Sequence, residues 1–165
     1  LVAYASEEPP FFRSDEMGSA VHAASLERPV KLMIALEMIG YYDSAPGSQN
    51  YPYPAMSWLY PDRGDFIAVV GRIQDINAVR QVKAALLSSQ DLSVYSMNTP
   101  GFIPGIDFSD HLNYWQHDIP AIMITDTAFY RNKQYHLPGD TADRLNYQKM
   151  AQVVDGVITL LYNSK

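Results

Sequence analysis

The chain contains no cysteine. That excludes a disulfide framework and any thiolate-held zinc, so a metal bound here has to rely on carboxylates and imidazoles. Basic residues are scarce as well: 12 Lys and Arg against 18 Asp and Glu leave a net charge of −6 and a pI near 5.0. Such a balance provides no basic patch for a phosphate backbone and disfavours nucleic acid as a partner. Long apolar runs are missing too, and none approaches the ~20 residues that span a bilayer. No initiating Met and no signal peptide precede Leu1, and the first residues read as the middle of a core strand. The expectation is a piece of a longer protein whose compartment, secreted, periplasmic or cytoplasmic, stays open.

What is present describes one globular domain: 165 residues, 47% hydrophobic and 18% charged, enough to bury a core. The chain opens on Leu1-Val2-Ala3-Tyr4-Ala5, an apolar run that ends in Ser6-Glu7-Glu8-Pro9-Pro10. A strand followed by prolines would put the two carboxylates at a strand's C-terminal edge. There, successive side chains point to opposite faces, so one can bind a metal while the other handles a proton. The plain alternative is a solvated loop.

Ser14-Asp15-Glu16 offers a cap for a helix across Met17–Leu26 that Pro29 ends. Val30 to Ile39 is apolar apart from Lys31 and Glu37, as expected of a strand buried between helix layers. Glu37 is the anomaly, because an unpaired carboxylate in such a strand costs several kcal/mol unless it pairs or meets a cation. Residues 41–65 form a Tyr- and Pro-rich stretch too long for a plain connector, either a binding wall or a packed surface loop. Strands at Phe66–Val70 and Leu92–Met97 flank a helix over Ile76–Leu87, with Ile76, Val79, Val82, Lys83 and Leu86 along one face. A loop over Asn98–Phe108 leads to a short helix that Ser109 can cap, with Asp110 and His111 in its first turn. Ala121–Thr125 reads as a short buried strand, His136 lies in a loop beside Pro138 and Gly139, and the last helix runs from Ala142 or Asp143 to Asn163. The alternation predicts an α/β fold, a three-layer sandwich of helices on a mixed, mostly parallel sheet. Strands at Leu1, Val30, Phe66, Leu92 and Ala121 should share that sheet and bring their functional ends to one edge.

Five ordered motifs then carry a resemblance. Ser6-Glu7-Glu8-Pro9-Pro10-Phe11-Phe12, Met17-Gly18-Ser19, Leu36-Glu37-Met38-Ile39-Gly40-Tyr41-Tyr42, Ser109-Asp110-His111, and Tyr135-His136 with Pro138, Asp140 and Thr141 resemble the catalytic half of the co-catalytic zinc aminopeptidases. These are the bacterial leucyl aminopeptidases, whose clan includes the glutaminyl cyclases. The resemblance runs from Leu1 to the last helix. It implies two zinc ions, Glu7 as general base, Glu8 and His136 as ligands of one ion, and Glu37 as a ligand of the other, where many members carry Asp. It further implies a peptide substrate with a free N-terminus, and a pocket for the first side chain to whose wall Tyr42 and Tyr51 would contribute. Asp110 and His111 would stand behind the metals or on the substrate side, with helix capping as the alternative.

The family's upstream His-Tyr-Asp segment has no counterpart here. Two ligands then remain for one ion and one for the other, which implies that these residues alone hold metal weakly and are inactive. Self-association through an exposed edge near Leu1 is expected. The rival readings are acyl transfer of the glutaminyl cyclase type and a non-catalytic binding module; the joint retention of Glu7, Glu8, Glu37 and His136 argues against the second.

Overall fold

The computed structural model describes residues 1–88, 91–101 and 103–163. Four strands form its sheet: β1 (Met33–Glu37), β2 (Ile67–Arg72), β3 (Val94–Thr99) and β4 (Ala121–Thr125), in the order β1-β4-β2-β3. β1 pairs with β4 and β2 with β3 in parallel, while β2 and β4 run antiparallel. Two of the three pairings are therefore parallel, in an α/β fold with a mixed sheet. Because β2 reverses, the C-terminal ends of β1 and β4 share an edge with the N-terminal end of β2. Glu37 lies opposite Thr125, and Thr125 opposite Ala68.

Side chains alternate across the sheet with a period of two. On one face Ile67, Val69, Val94, Ile122 and Ile124 meet α2 (Ile76–Leu86) and α4 (Tyr147–Asn163) through Val79, Val82, Leu86, Val153 and Leu160. On the other, Ala68, Val70 and Met123 pack with Phe66 and Ile106, while Ala121 packs with Ala23 of α1 (Gly18–Ala24) and Tyr114 of α3 (His111–Trp115). Helices and residues 103–108 thus cover both faces of the inner strands. The two inner strands are buried along nearly their whole length, as their apolar sequences require. No helix among the described residues is long and apolar enough to cross a membrane.

Three elements depart from what the residues predict. Leu1–Ala5 forms no strand, since a strand exists only through its ladder and among the described residues this run has no neighbour to pair with. It is pinned at its end instead, where Gly18 N–H donates to the Ala5 carbonyl at 2.9 Å and the Tyr4 hydroxyl bonds His22 Nδ1 at 3.1 Å. A cleft of about 480 Å³ separates it from the outer edge of β1. β1 is consequently an edge strand with only Ala35 buried and Leu36 41% exposed, not a strand covered on both faces. The last helix starts late. Ala142–Arg144 is a 3₁₀ turn, Leu145 is extended, and Asn146 Oδ1 accepts from Lys149 N–H at 3.0 Å, a side-chain cap that sets the start at Tyr147.

Gly156 marks the closest approach of α4 to α2, where an added Cβ would lie 2.7 Å from Leu86 Cδ2 and 2.9 Å from Leu86 Cα. Backbone cannot yield as a side-chain tip can, so overpacking outweighs the gain in helix propensity from alanine. Gly156→Ala is expected to destabilise the chain by about 1–3 kcal/mol, read as a lower midpoint in urea unfolding.

Candidate active site

The site is built at the sheet edge that carries the C-terminal ends of β1 and β4. Glu37 is the last residue of β1, and its register with Thr125 turns it toward the α1 and α3 face. Its Oε2 accepts from Ser109 Oγ at 2.9 Å. Burial raises its pKa, Ser109 pulls the other way, and Glu8, Asp110 and Asp126 raise it further by repulsion.

Glu7 and Glu8 arrive on a turn rather than from a strand. Ser6 has a left-handed φ of 59°, and Phe11 N–H closes the next turn on the Glu8 carbonyl at 3.0 Å. Glu8 Oε1 lies 3.2 Å from His136 Nε2. His136 is itself left-handed (φ 58°) and stacks on Tyr135 at 3.9 Å between centroids, so its loop aims the imidazole back at Glu8. Glu7 is pushed up to about 7 by burial first, then by Glu37, Asp110 and Glu8. The Tyr135 hydroxyl is raised by burial and by the same three glutamates. The structure therefore brings Glu7, Glu8, Glu37, Asp110 and His136 into one electrostatic neighbourhood.

Asp110 stands at the N-cap position of α3 but makes no capping bond. Burial raises its pKa, a Ser19 hydrogen bond lowers it, and its Oδ1 has no hydrogen-bond partner among the described residues. Two expected site residues are elsewhere. His111 is fully buried: its Nε2 donates to the Ile106 carbonyl at 2.7 Å, its ring meets Trp115 edge-on, and burial brings its pKa down to about 4. It is a neutral core histidine, enclosed against Ile106 and Trp115. Tyr42 packs with the α2 and α4 core, its ring under the charges of Arg131 and Lys149, and so does not line the pocket.

Tyr51 does line it. The 41–65 stretch forms one wall of an apolar cavity of about 100 Å³ that opens beside Glu37, with Met56, Tyr60, Phe66, Met123 and Tyr135 also in its lining. The Tyr51 hydroxyl donates to the Pro61 carbonyl at 2.6 Å and the Tyr60 hydroxyl to the Ser96 carbonyl at 3.1 Å. With their polar tips engaged, both rings present apolar faces. Ser109 and Tyr135 are neighbours of the carboxylates to which the sequence reading assigns no role at the site; their places in the Ser109-Asp110-His111 and Tyr135-His136 motifs are the available signal.

Carboxylates and an imidazole are donors that zinc accepts. The 3.2 Å between Glu8 and His136 matches the ~3.4 Å expected of two donors on one tetrahedral ion with bonds near 2.1 Å. The residues present therefore fit zinc in type and in this spacing. No group of three or more such side chains is gathered to hold an ion among the described residues.

A family model described as peptidase family M28 matches residues 1–161. Among solved structures, the LapA aminopeptidase of Legionella pneumophila aligns with a TM-score of 0.61 at 21% identity, over 87% of this chain and 34% of its own. LapB of the same organism gives a TM-score of 0.65 at 17% identity, over 97% and 37%. BSAP, a zinc aminopeptidase from Bacillus subtilis, gives 0.59 at 17%, over 89% and 32%. These likenesses are of fold, and the chain spans about a third of the length of each of these structures.

The crowded carboxylates have a consequence for stability. Glu7 has a folded pKa of about 7 against an ordinary 4.5. The folded state thus binds its proton more tightly, and the stability this contributes is fully present below the ordinary value and lost as pH rises through about 7. Without metal, the chain is expected to unfold at lower urea at about pH 8 than at about pH 5, and Glu7→Gln should shrink that difference. An unchanged difference in the variant would show that Glu7 is not among the groups responsible.

Proposed function

The chain belongs to peptidase family M28, and on that premise we propose that it forms part of the catalytic domain of a zinc-dependent aminopeptidase, which hydrolyses the N-terminal residue from peptides. The observation that supports this reading is the Glu8–His136 pair at 3.2 Å beside Glu37 and Glu7, gathered from a turn, a strand end and a loop that are far apart in the chain. Helix dipoles or random surface pairing do not account for four such groups at one sheet edge.

In this reading Glu8 and His136 hold one ion and Glu37 the other. Bound there, zinc supplies Lewis acidity, polarising the scissile carbonyl and lowering the pKa of a water molecule. Among the described residues Glu7 makes no ion pair, which leaves its carboxylate available as a base. It takes the proton of the attacking water and delivers it to the departing amine. Ser109 orients Glu37 by donating to one oxygen, which leaves the other free. The apolar cavity beside Glu37 receives the first side chain of the peptide, and its engaged phenols favour an uncharged one.

Two donors for one ion and one for the other fall short of the three that normally hold a catalytic zinc. By itself the 165-residue chain is therefore expected to bind zinc weakly and to show no turnover on aminoacyl arylamides. Elemental analysis alongside that assay checks both; stoichiometric tight zinc with turnover would mean that another residue or a second chain completes the centre.

In a form of the protein that carries its full zinc complement, Glu7→Gln should lower kcat by about 10²–10⁴-fold with zinc content unchanged. Glu8→Ala and His136→Ala should instead lower zinc occupancy. Near-normal turnover of Glu7→Gln would exclude it as the base. Cyclisation of N-terminal Gln peptides in place of arylamide hydrolysis would reassign the reaction.

A further inference from the structure

Glu37 and His136 sit on different elements, yet one residue between them has all of its polar groups taken by the stretch that carries His136. That residue is Tyr41. Its N–H donates to Asp126 Oδ2 at 2.7 Å, its carbonyl accepts from Arg131 Nη1 at 2.9 Å, and its hydroxyl accepts from Arg144 Nη2 at 3.0 Å. The three partners span residues 126–144, with His136 among them.

Each partner is braced in turn. Asp126, 1% exposed, directly follows β4 and also accepts from Gly40 N–H at 3.0 Å and from Ala128 N–H at 3.0 Å. One carboxylate therefore closes the turn after β1 and the turn after β4 together. The Asp126 N–H donates back to the Met38 carbonyl at 2.6 Å. Met38 has a left-handed φ of 50°, unfavourable for a side chain with a Cβ, and it directly follows Glu37. A strained residue keeps such a conformation only where its surroundings over-determine it, and the Asp126 contacts do so here.

Arg131, 3% exposed, lies with its guanidinium 4.6 Å from the Phe66 ring centroid and donates through Nε to Gln49 Oε1 at 2.9 Å. Gly64 leaves room for it, since a Cβ there would fall 2.5 Å from Arg131 Nε. Arg144 reaches Asn132 Oδ1 at 2.9 Å and the Gly139 carbonyl at 3.2 Å, and so grips the His136 loop on both sides.

We infer that Tyr41, with Asp126, Arg131 and Arg144, is a latch of positioning residues that holds the strand end bearing Glu37 and the loop bearing His136 at one separation. None of the four is needed as a donor to the metals. The inference rests on reading Glu37 and His136 as zinc donors, and its role is to fix the distance over which two separately mounted donors can share a binuclear centre. Outer residues that orient ligands typically change metal affinity by about 10–100-fold when removed.

The absence of cysteine makes the test direct. Spin labels at Leu36→Cys and Leu137→Cys, both exposed and adjacent to Glu37 and His136, report the separation by electron paramagnetic resonance without metal or activity. The distance distribution should be narrow in the otherwise unchanged chain and broadened or shifted by Asp126→Asn. Tyr41→Phe, which removes only the hydroxyl link, should produce a smaller change in the same direction. Thermal unfolding identifies any variant that fails to fold, and Tyr41→Phe keeps the test alive should Asp126→Asn be one.

In the zinc-loaded form of the protein, Asp126→Asn should raise the zinc Kd about 10–100-fold. Unchanged distances in folded variants would overturn the latch, even if His136→Ala still weakened zinc binding. Distances that respond while His136→Ala leaves zinc binding untouched would uphold the latch and overturn the donor assignment instead.

Discussion

Carboxylates held within reach of one another repel, and here the fold holds Glu7, Glu8, Glu37 and Asp110 at one sheet edge. The neighbours that offset this are modest: the Ser109 hydroxyl on Glu37, the Ser19 hydroxyl on Asp110 and the His136 imidazole beside Glu8. Burial adds to the repulsion, because a half-buried carboxylate has lost part of the water that would have screened it. An arrangement chosen for stability alone would scatter these groups. The zinc-site proposal accounts for their presence beside an otherwise consistent core, since local rules are broken where a site requires it.

The sheet makes that edge possible by reversing once. Parallel strands deliver their C-terminal ends to the same side, and β1 and β4 do so with Glu37 and with Thr125, which is followed by Asp126. The antiparallel β2 brings its start to that edge instead, and Asp65 and Phe66 with it. Phe66 then serves as the floor of the apolar cavity and as the surface on which Arg131 rests. Charge and apolar surface are therefore adjacent because the strand order puts them there, and a ligand with both an ionic end and an apolar side chain would meet each in one place.

How much of this could be read beforehand depended on whether a feature is local. β4, α2 and the strand and helix alternation were legible because apolar runs and 3.6-residue periodicity are properties of short windows. Glu37 was legible as an anomaly in an apolar stretch. The apolar Leu1–Ala5 run carries the same local signal as β4 but forms no strand, since pairing depends on a neighbour that no window contains. Tyr42 and Tyr51 illustrate a second limit: irregular loops have no period, so nothing in the composition of residues 41–65 says which ring faces the cavity and which the core. His111 follows the same logic, because its fate depends on Ile106 and Trp115 closing around it in the folded chain. The Tyr41 network is less visible still, as its members are spread over residues 41 to 144 and meet only in the folded chain.

The proposed donors divide by how they are mounted. Glu37 is presented by a strand, is half-buried and is oriented by Ser109. Glu8 and His136 are exposed and presented by turns whose left-handed residues fix their direction. Strand positions are stiff and turn positions are softer, since turns have few packed neighbours to restrain them. A centre shared between a stiff and a soft support keeps its geometry only if something ties the two together. Tyr41 is well placed for that task because it is neither donor nor wall: it lies four residues beyond Glu37, and its partners straddle His136. Precision at the site would then come less from the residues that touch a ligand than from a half-buried tyrosine that touches none.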